Sequence, residues 1–164
     1  MRPLLLALVL TASGCASSSA TRPEAVGSPA SPSPWGFSVA YDHSAIHVAD
    51  LGASVDFYQR IFGLEEIEAP GDPTVIRWLS LGGDDQLHLI DFPGEVPTTD
   101  KAVHIALVVS DLDALVAHVV EEGVPYSDWP GTPSVLSLRP DGVQQIYVQD
   151  PDGYWIEVND ARYE

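Results

Sequence analysis

The chain has few basic residues. Lysine and arginine total seven against 24 aspartates and glutamates, a net charge of −17 over 164 residues. The seven do not cluster. This excludes nucleic acid as a partner, because binding it requires cations that neutralise phosphates. The acidic surplus serves solubility instead. Cysteine is almost absent as well: Cys15 is the single one, so no disulfide can form within the chain. Long apolar runs are missing too. The run Leu4–Leu10 falls far short of the ~20 residues a membrane-spanning helix needs. What is present suffices for one domain, with 45% hydrophobic residues, four Trp, six Tyr and four Phe to fill a core.

The first 15 residues read as an export signal. Arg2 precedes the short apolar run, and small residues lead up to Cys15. Ala12-Ser13-Gly14-Cys15 resembles a bacterial lipobox, in which the Cys carries the lipid and becomes the mature N-terminus. In Gram-negative lipoproteins, a residue such as Ala16 after that Cys implies the outer membrane. The expectation is therefore an exported chain, lipid-anchored in the cell envelope at the periplasmic face, touching the membrane only through Cys15. Residues 16–36, rich in Ser, Ala and Pro, read as a flexible tether. Residues 37–164 form the domain.

The domain says nearly the same thing twice. His43 opens an apolar strand that ends in Asp50-Leu51, and His104 opens another that ends in Asp111-Leu112. Each Asp can cap the helix that follows. In the first half Leu51, Val55, Tyr58 and Phe62 recur at helical spacing up to Gly63; in the second, Leu112, Leu115, Val116 and Val119 do so up to Gly123. Three short strands follow each helix. They are expected near 64–68, 74–81 and 86–91, and near 125–129, 134–139 with 144–149, and 154–159. Turn signals separate them, among them Asp150-Pro151-Asp152-Gly153. The fold class is α+β: two βαβββ modules, about 40–97 and 101–160, forming an eight-stranded open barrel-like sheet.

Strand period two sorts the side chains by face. Ile46, Val48, Ile105, Leu107, Leu87, Leu89, Ile156 and Val158 form the aliphatic set that suits the helices. His43, His104, His88 and Glu157 all fall on the opposite face, which a cavity would have to accommodate. A carboxylate there is costly unless paired or coordinated. Three imidazoles and one carboxylate sharing one divalent ion remove that cost. The set suits Zn, Ni, Co, Mn or Fe. Six coordination would leave two positions for substrate, whereas tetrahedral Zn would close the site and make it structural. His47, Trp78, Tyr147 and Trp155 are candidate pocket walls. His118 falls on the outer side of the second helix, towards solvent.

These residues resemble the vicinal oxygen chelate superfamily, which includes glyoxalase I, fosfomycin-resistance enzymes, extradiol dioxygenases and bleomycin-resistance proteins. The likeness is carried by Val48-Ala49-Asp50-Leu51, Ser54, Phe57-Tyr58 and Phe62-Gly63-Leu64. It continues in Gln86-Leu87-His88-Leu89, His104-Ile105-Ala106-Leu107 and Asp150 to Glu157. The resemblance implies a metal held by His43, His88, His104 and Glu157. It also implies lyase or isomerase chemistry on a small oxygen-rich molecule through a metal-chelated enolate, with Glu157 or a metal-bound hydroxide moving the proton. The chain departs from glyoxalase I at His88, where that enzyme has Glu, and at His47, where it typically has Arg. Two alternatives stay open: a non-heme Fe(II) ring-cleaving dioxygenase and a small-molecule binding protein of the bleomycin-resistance kind. A homodimer is common in the family.

Overall fold

The computed structural model describes residues 36–37, 39–92, 94, 96 and 100–162. The leader, Cys15 and most of the tether lie outside the described residues. In each half, a strand and a helix are followed by antiparallel strands, three in the first half and four in the second. The first half comprises β1 (His43–Val48), α1 (Leu51–Phe62), β2 (Glu66–Ile67), β3 (Ile76–Gly82) and β4 (Asp85–Asp91). The second comprises β5 (His104–Val108), α2 (Leu112–Glu121), β6 (Tyr126–Ser127), β7 (Ser137–Leu138), β8 (Gln144–Gln149) and β9 (Trp155–Asn159). They form two mixed sheets, ordered β1-β4-β3-β2 and β5-β9-β8-β6, with β7 pairing to β8. β1 runs parallel to β4, and β5 parallel to β9.

Local chemistry explains the helices. The Asp50 carboxylate accepts the Ala53 N–H at 3.0 Å, and Asp111 accepts that of Ala114 at 2.9 Å. Gly63, at φ 66°, takes the left-handed position that ends α1. The aliphatic face read from the alternation is the core: Ile46, Val48, Leu87, Leu89, Ile156 and Val158 are buried with Leu51, Val55, Ile61 and Val119.

The strand expected over 134–139 is reduced to Ser137–Leu138. Pro133 removes a donor, and Ser134 sits at φ 60°, a conformation that no regular strand accommodates. The strand expected over 125–129 is likewise only Tyr126–Ser127, with a turn at Asp128–Gly131 in its place.

The halves are joined by a clasp. The Asp150–Gly153 turn reaches from the second half to the β1–α1 corner of the first. Asp150 accepts from the Tyr58 hydroxyl at 3.0 Å, and Asp152 accepts from the Ala49 N–H at 3.1 Å and the Ser54 hydroxyl at 3.3 Å. The two helices also touch: Arg60 pairs with Glu122, and His118 Nε2 donates to the Arg60 carbonyl at 2.8 Å. His118 is thus half-buried between helices rather than facing solvent.

Candidate functional site

The strand registers align two equivalent rows of side chains. Ala45, His88 and Trp78 lie opposite one another across β1, β4 and β3. Ala106, Glu157 and Tyr147 lie opposite one another across β5, β9 and β8. In each row a small residue stands on one side of the candidate ligand and an aromatic on the other. Trp78 stacks on the His88 ring with centroids 4.1 Å apart. Tyr147 instead donates its hydroxyl to Glu157 Oε2 at 2.6 Å.

The structure groups the expected ligands into two pairs. His43 stacks on His88 at 4.1 Å between centroids. His104 Nε2 lies 3.3 Å from Glu157 Oε2. Among the described residues, no three His, Cys, Asp or Glu side chains are grouped so as to hold a metal ion. The donor chemistry nonetheless fits one. His43 Nδ1 faces the Asp42 carboxylate, His88 Nε2 faces Gln86 Oε1 at 2.8 Å, and His104 Nδ1 faces the Lys101 carbonyl at 2.9 Å. An acceptor opposite one ring nitrogen makes that nitrogen the N–H and leaves a lone pair on the other. In His104 the other nitrogen, Nε2, faces a Glu157 carboxylate oxygen. Two acceptors facing each other repel unless a proton or a cation lies between them. Burial, with His43 beside it, lowers the His88 pKa and favours the neutral, ligating form.

Glu157 is buried and well supplied with donors. Besides Tyr147, Asn159 Nδ2 donates to its Oε1 at 2.9 Å, and Arg139 stands 3.7 Å away. Burial and the Glu157 carboxylate push the Tyr147 pKa up, so this phenol keeps its proton. Gln145 continues the chain, donating to the Tyr147 oxygen at 2.8 Å, while its own buried Oε1 has no partner among the described residues.

Of the expected pocket walls, Tyr147 and Trp155 line a cavity of about 260 Å³ with Pro125, Tyr126, Ser127, Pro133 and Gln149. Trp78 backs His88, its buried Nε1 without a partner among the described residues. His47 stacks on Phe92 at 4.4 Å. The sequence reading missed Lys101. Its ammonium lies 4.3 Å from the Trp155 ring centroid and 5.1 Å from that of Tyr147. A lone Lys in an acidic chain carries no periodic signal.

Residues 40–158 match the family model described as the glyoxalase/bleomycin resistance protein/dioxygenase superfamily. The chain belongs to that superfamily. A curated relative in Bacillus subtilis (strain 168), the uncharacterized protein YwbC, is 30% identical over 122 residues, covering 71% of this chain and 93% of that protein. Among solved structures, the oxidase ChaP-H2 is 25% identical with a TM-score of 0.65, covering 77% of this chain and 97% of its own. The lactoylglutathione lyase of Agrobacterium tumefaciens is 21% identical with a TM-score of 0.58, covering 74% of this chain and 93% of its own. At that identity it shows the shared fold alone. Members of the superfamily typically use a divalent metal. In this one the fold places three neutral-capable imidazoles and a carboxylate on the non-core face of its two sheets.

Proposed function

We propose that this superfamily member is a divalent-metal-dependent enzyme acting on a small oxygen-rich molecule by lyase or isomerase chemistry. One observation carries the reading: His104 Nε2 and Glu157 Oε2 face each other at 3.3 Å, a nitrogen and an oxygen that one divalent cation could bridge. His43, His88, His104 and Glu157 would hold the ion. When bound, it would polarise neighbouring substrate oxygens as a Lewis acid. Lys101, through its carbonyl, sets the tautomer of His104. Tyr147 and Asn159 orient Glu157, each taking one lone pair on a different oxygen. The N-terminal segment is proposed to export the chain and to anchor it through Cys15.

The test is elemental analysis of protein purified without added metal or chelator. About one divalent ion per chain is expected, falling at least about tenfold in His104→Ala, as loss of an imidazole ligand should cause. A His104→Ala protein with undiminished metal would overturn the assignment.

A second reading, oxygen chemistry at Fe(II), is favoured by the likeness to ChaP-H2, an oxidase by name. Two imidazoles and a carboxylate suit that ion. Oxygen uptake dependent on Fe(II) and an aromatic diol would select it.

A further inference from the structure

Lys101 stands out among the cations of this acidic chain. Arg60, Arg77 and Arg139 each pair with a carboxylate, and Arg162 donates to the Ser110 carbonyl. Among the described residues Lys101 has no ion-pair partner. Its ammonium donates to Ser127 Oγ at 3.0 Å and to the Asp128 carbonyl at 2.8 Å, with a long contact of 3.4 Å to the Trp129 carbonyl. The Asp128 carboxylate acts on it only at longer range and is itself engaged by the Thr132 N–H at 2.6 Å. Lys101 is partly withdrawn from water, which lowers its pKa, and a neighbouring anion would favour its charged form.

The cavity beside it shares three of the residues that surround Lys101, namely Ser127, Tyr147 and Trp155. Tyr126, Pro125, Pro133 and Gln149 complete its mostly apolar walls. At about 260 Å³ it falls below the roughly 300–1,000 Å³ of pockets for drug-sized ligands, a size for one ring rather than several. Aromatic walls favour a flat ring through stacked or edge contacts. The Ser127 hydroxyl accepts from Lys101 and retains a proton to donate.

We propose that this cavity binds the ring of a small planar aromatic anion, a carboxylate or phenolate, with Lys101 as its counter-charge. The inference rests on the reading that the face bearing His104 and Glu157 is the substrate face. Lys101 and His104 then serve one ligand from a single short segment, the first by charge and the second through the metal.

The test is titration of benzoate into the chelator-treated full chain, followed by tryptophan fluorescence and calorimetry. Benzamide is the neutral control of the same shape, and cyclohexanecarboxylate the anion without a flat ring. Saturable benzoate binding is expected, with benzamide weaker by at least about tenfold, as loss of a charged contact implies, and cyclohexanecarboxylate weaker by about threefold or more, as loss of the aromatic contacts implies. Lys101→Met should abolish the preference for benzoate over benzamide, and Tyr126→Leu the preference over cyclohexanecarboxylate. Tyr126→Leu keeps the test valid if the lysine variant fails to fold. Equal affinity for benzoate and benzamide, no saturable benzoate binding, or unaltered preferences in both variants would overturn the proposal. Because the titration is metal-free, the two readings separate. Benzoate binding in a chain that takes up no metal would sink the enzyme reading alone. Stoichiometric metal in a chain blind to benzoate would sink this one alone.

Discussion

At the scale of single residues, buried polar groups decide the most. Asp150 is 5% exposed and accepts from the Tyr58 hydroxyl and from the Asp152 and Tyr154 N–H groups. Replacing it with Ala leaves three donors without a partner. A loss of about 3 kcal/mol is expected, since each stranded buried donor costs roughly 1–3 kcal/mol and part is recovered by water. Tyr58→Phe removes one bond and should cost only about 1 kcal/mol. Urea melts of the two variants check the order; a Tyr58→Phe protein less stable than Asp150→Ala would contradict it. The clasp was half legible in the sequence. Ser54 and Tyr58 are polar groups four residues apart on the core-facing side of an amphipathic helix, which signals a buried partner. That the partners would be Asp152 and Asp150, nearly a hundred residues later, was not legible, because a turn motif explains those aspartates locally.

At the scale of elements, the repeat is visible in the caps. Asp50 and Asp111 occupy the same place in their modules and accept from the third residue onward in the same way. Asp50→Ala and Asp111→Ala should each cost about 1 kcal/mol, the usual value of an N-cap side chain. Thermal melts of both variants check this, and a marked inequality would show that one helix draws its start from tertiary packing instead. The helices and the long strands were legible because their periods, 3.6 and 2, are local properties. The short strands were not: Tyr126–Ser127 and Ser137–Leu138 exist only because β8 runs alongside to pair with them.

At the scale of the whole molecule, acid acts in opposite senses at two carboxylates. Arg77, as a hydrogen-bonded partner, lowers the Glu66 pKa. Its stabilising contribution is present above the ordinary glutamate range and is lost as pH falls through the lowered value. Burial raises the pKa of Asp150. Its contribution is present at low pH and is lost as pH rises through the raised value. Relative to Glu66→Gln, the wild type should therefore lose its advantage on acidification towards the lowered Glu66 value. Relative to Asp150→Asn, it should gain between neutrality and the ordinary aspartate range. Melting temperatures across the acid range check both signs, and the paired comparison cancels the general relief of self-repulsion in a chain of net charge −17.

The amino-acid order alone carries the two-module α+β plan, the caps, and the segregation of aliphatic residues from His43, His88, His104 and Glu157. Each of these follows from spacing along the chain, which backbone geometry converts directly into a face or an end. Only the folded molecule decides that the four candidate ligands stand as two pairs, that Tyr147 and Asn159 engage Glu157, that the second-half turn clasps α1, and that Lys101 sits beside an aromatic cavity with no ion-pair partner among the described residues. Those features depend on which distant segments become neighbours and in what register, and no local period encodes that.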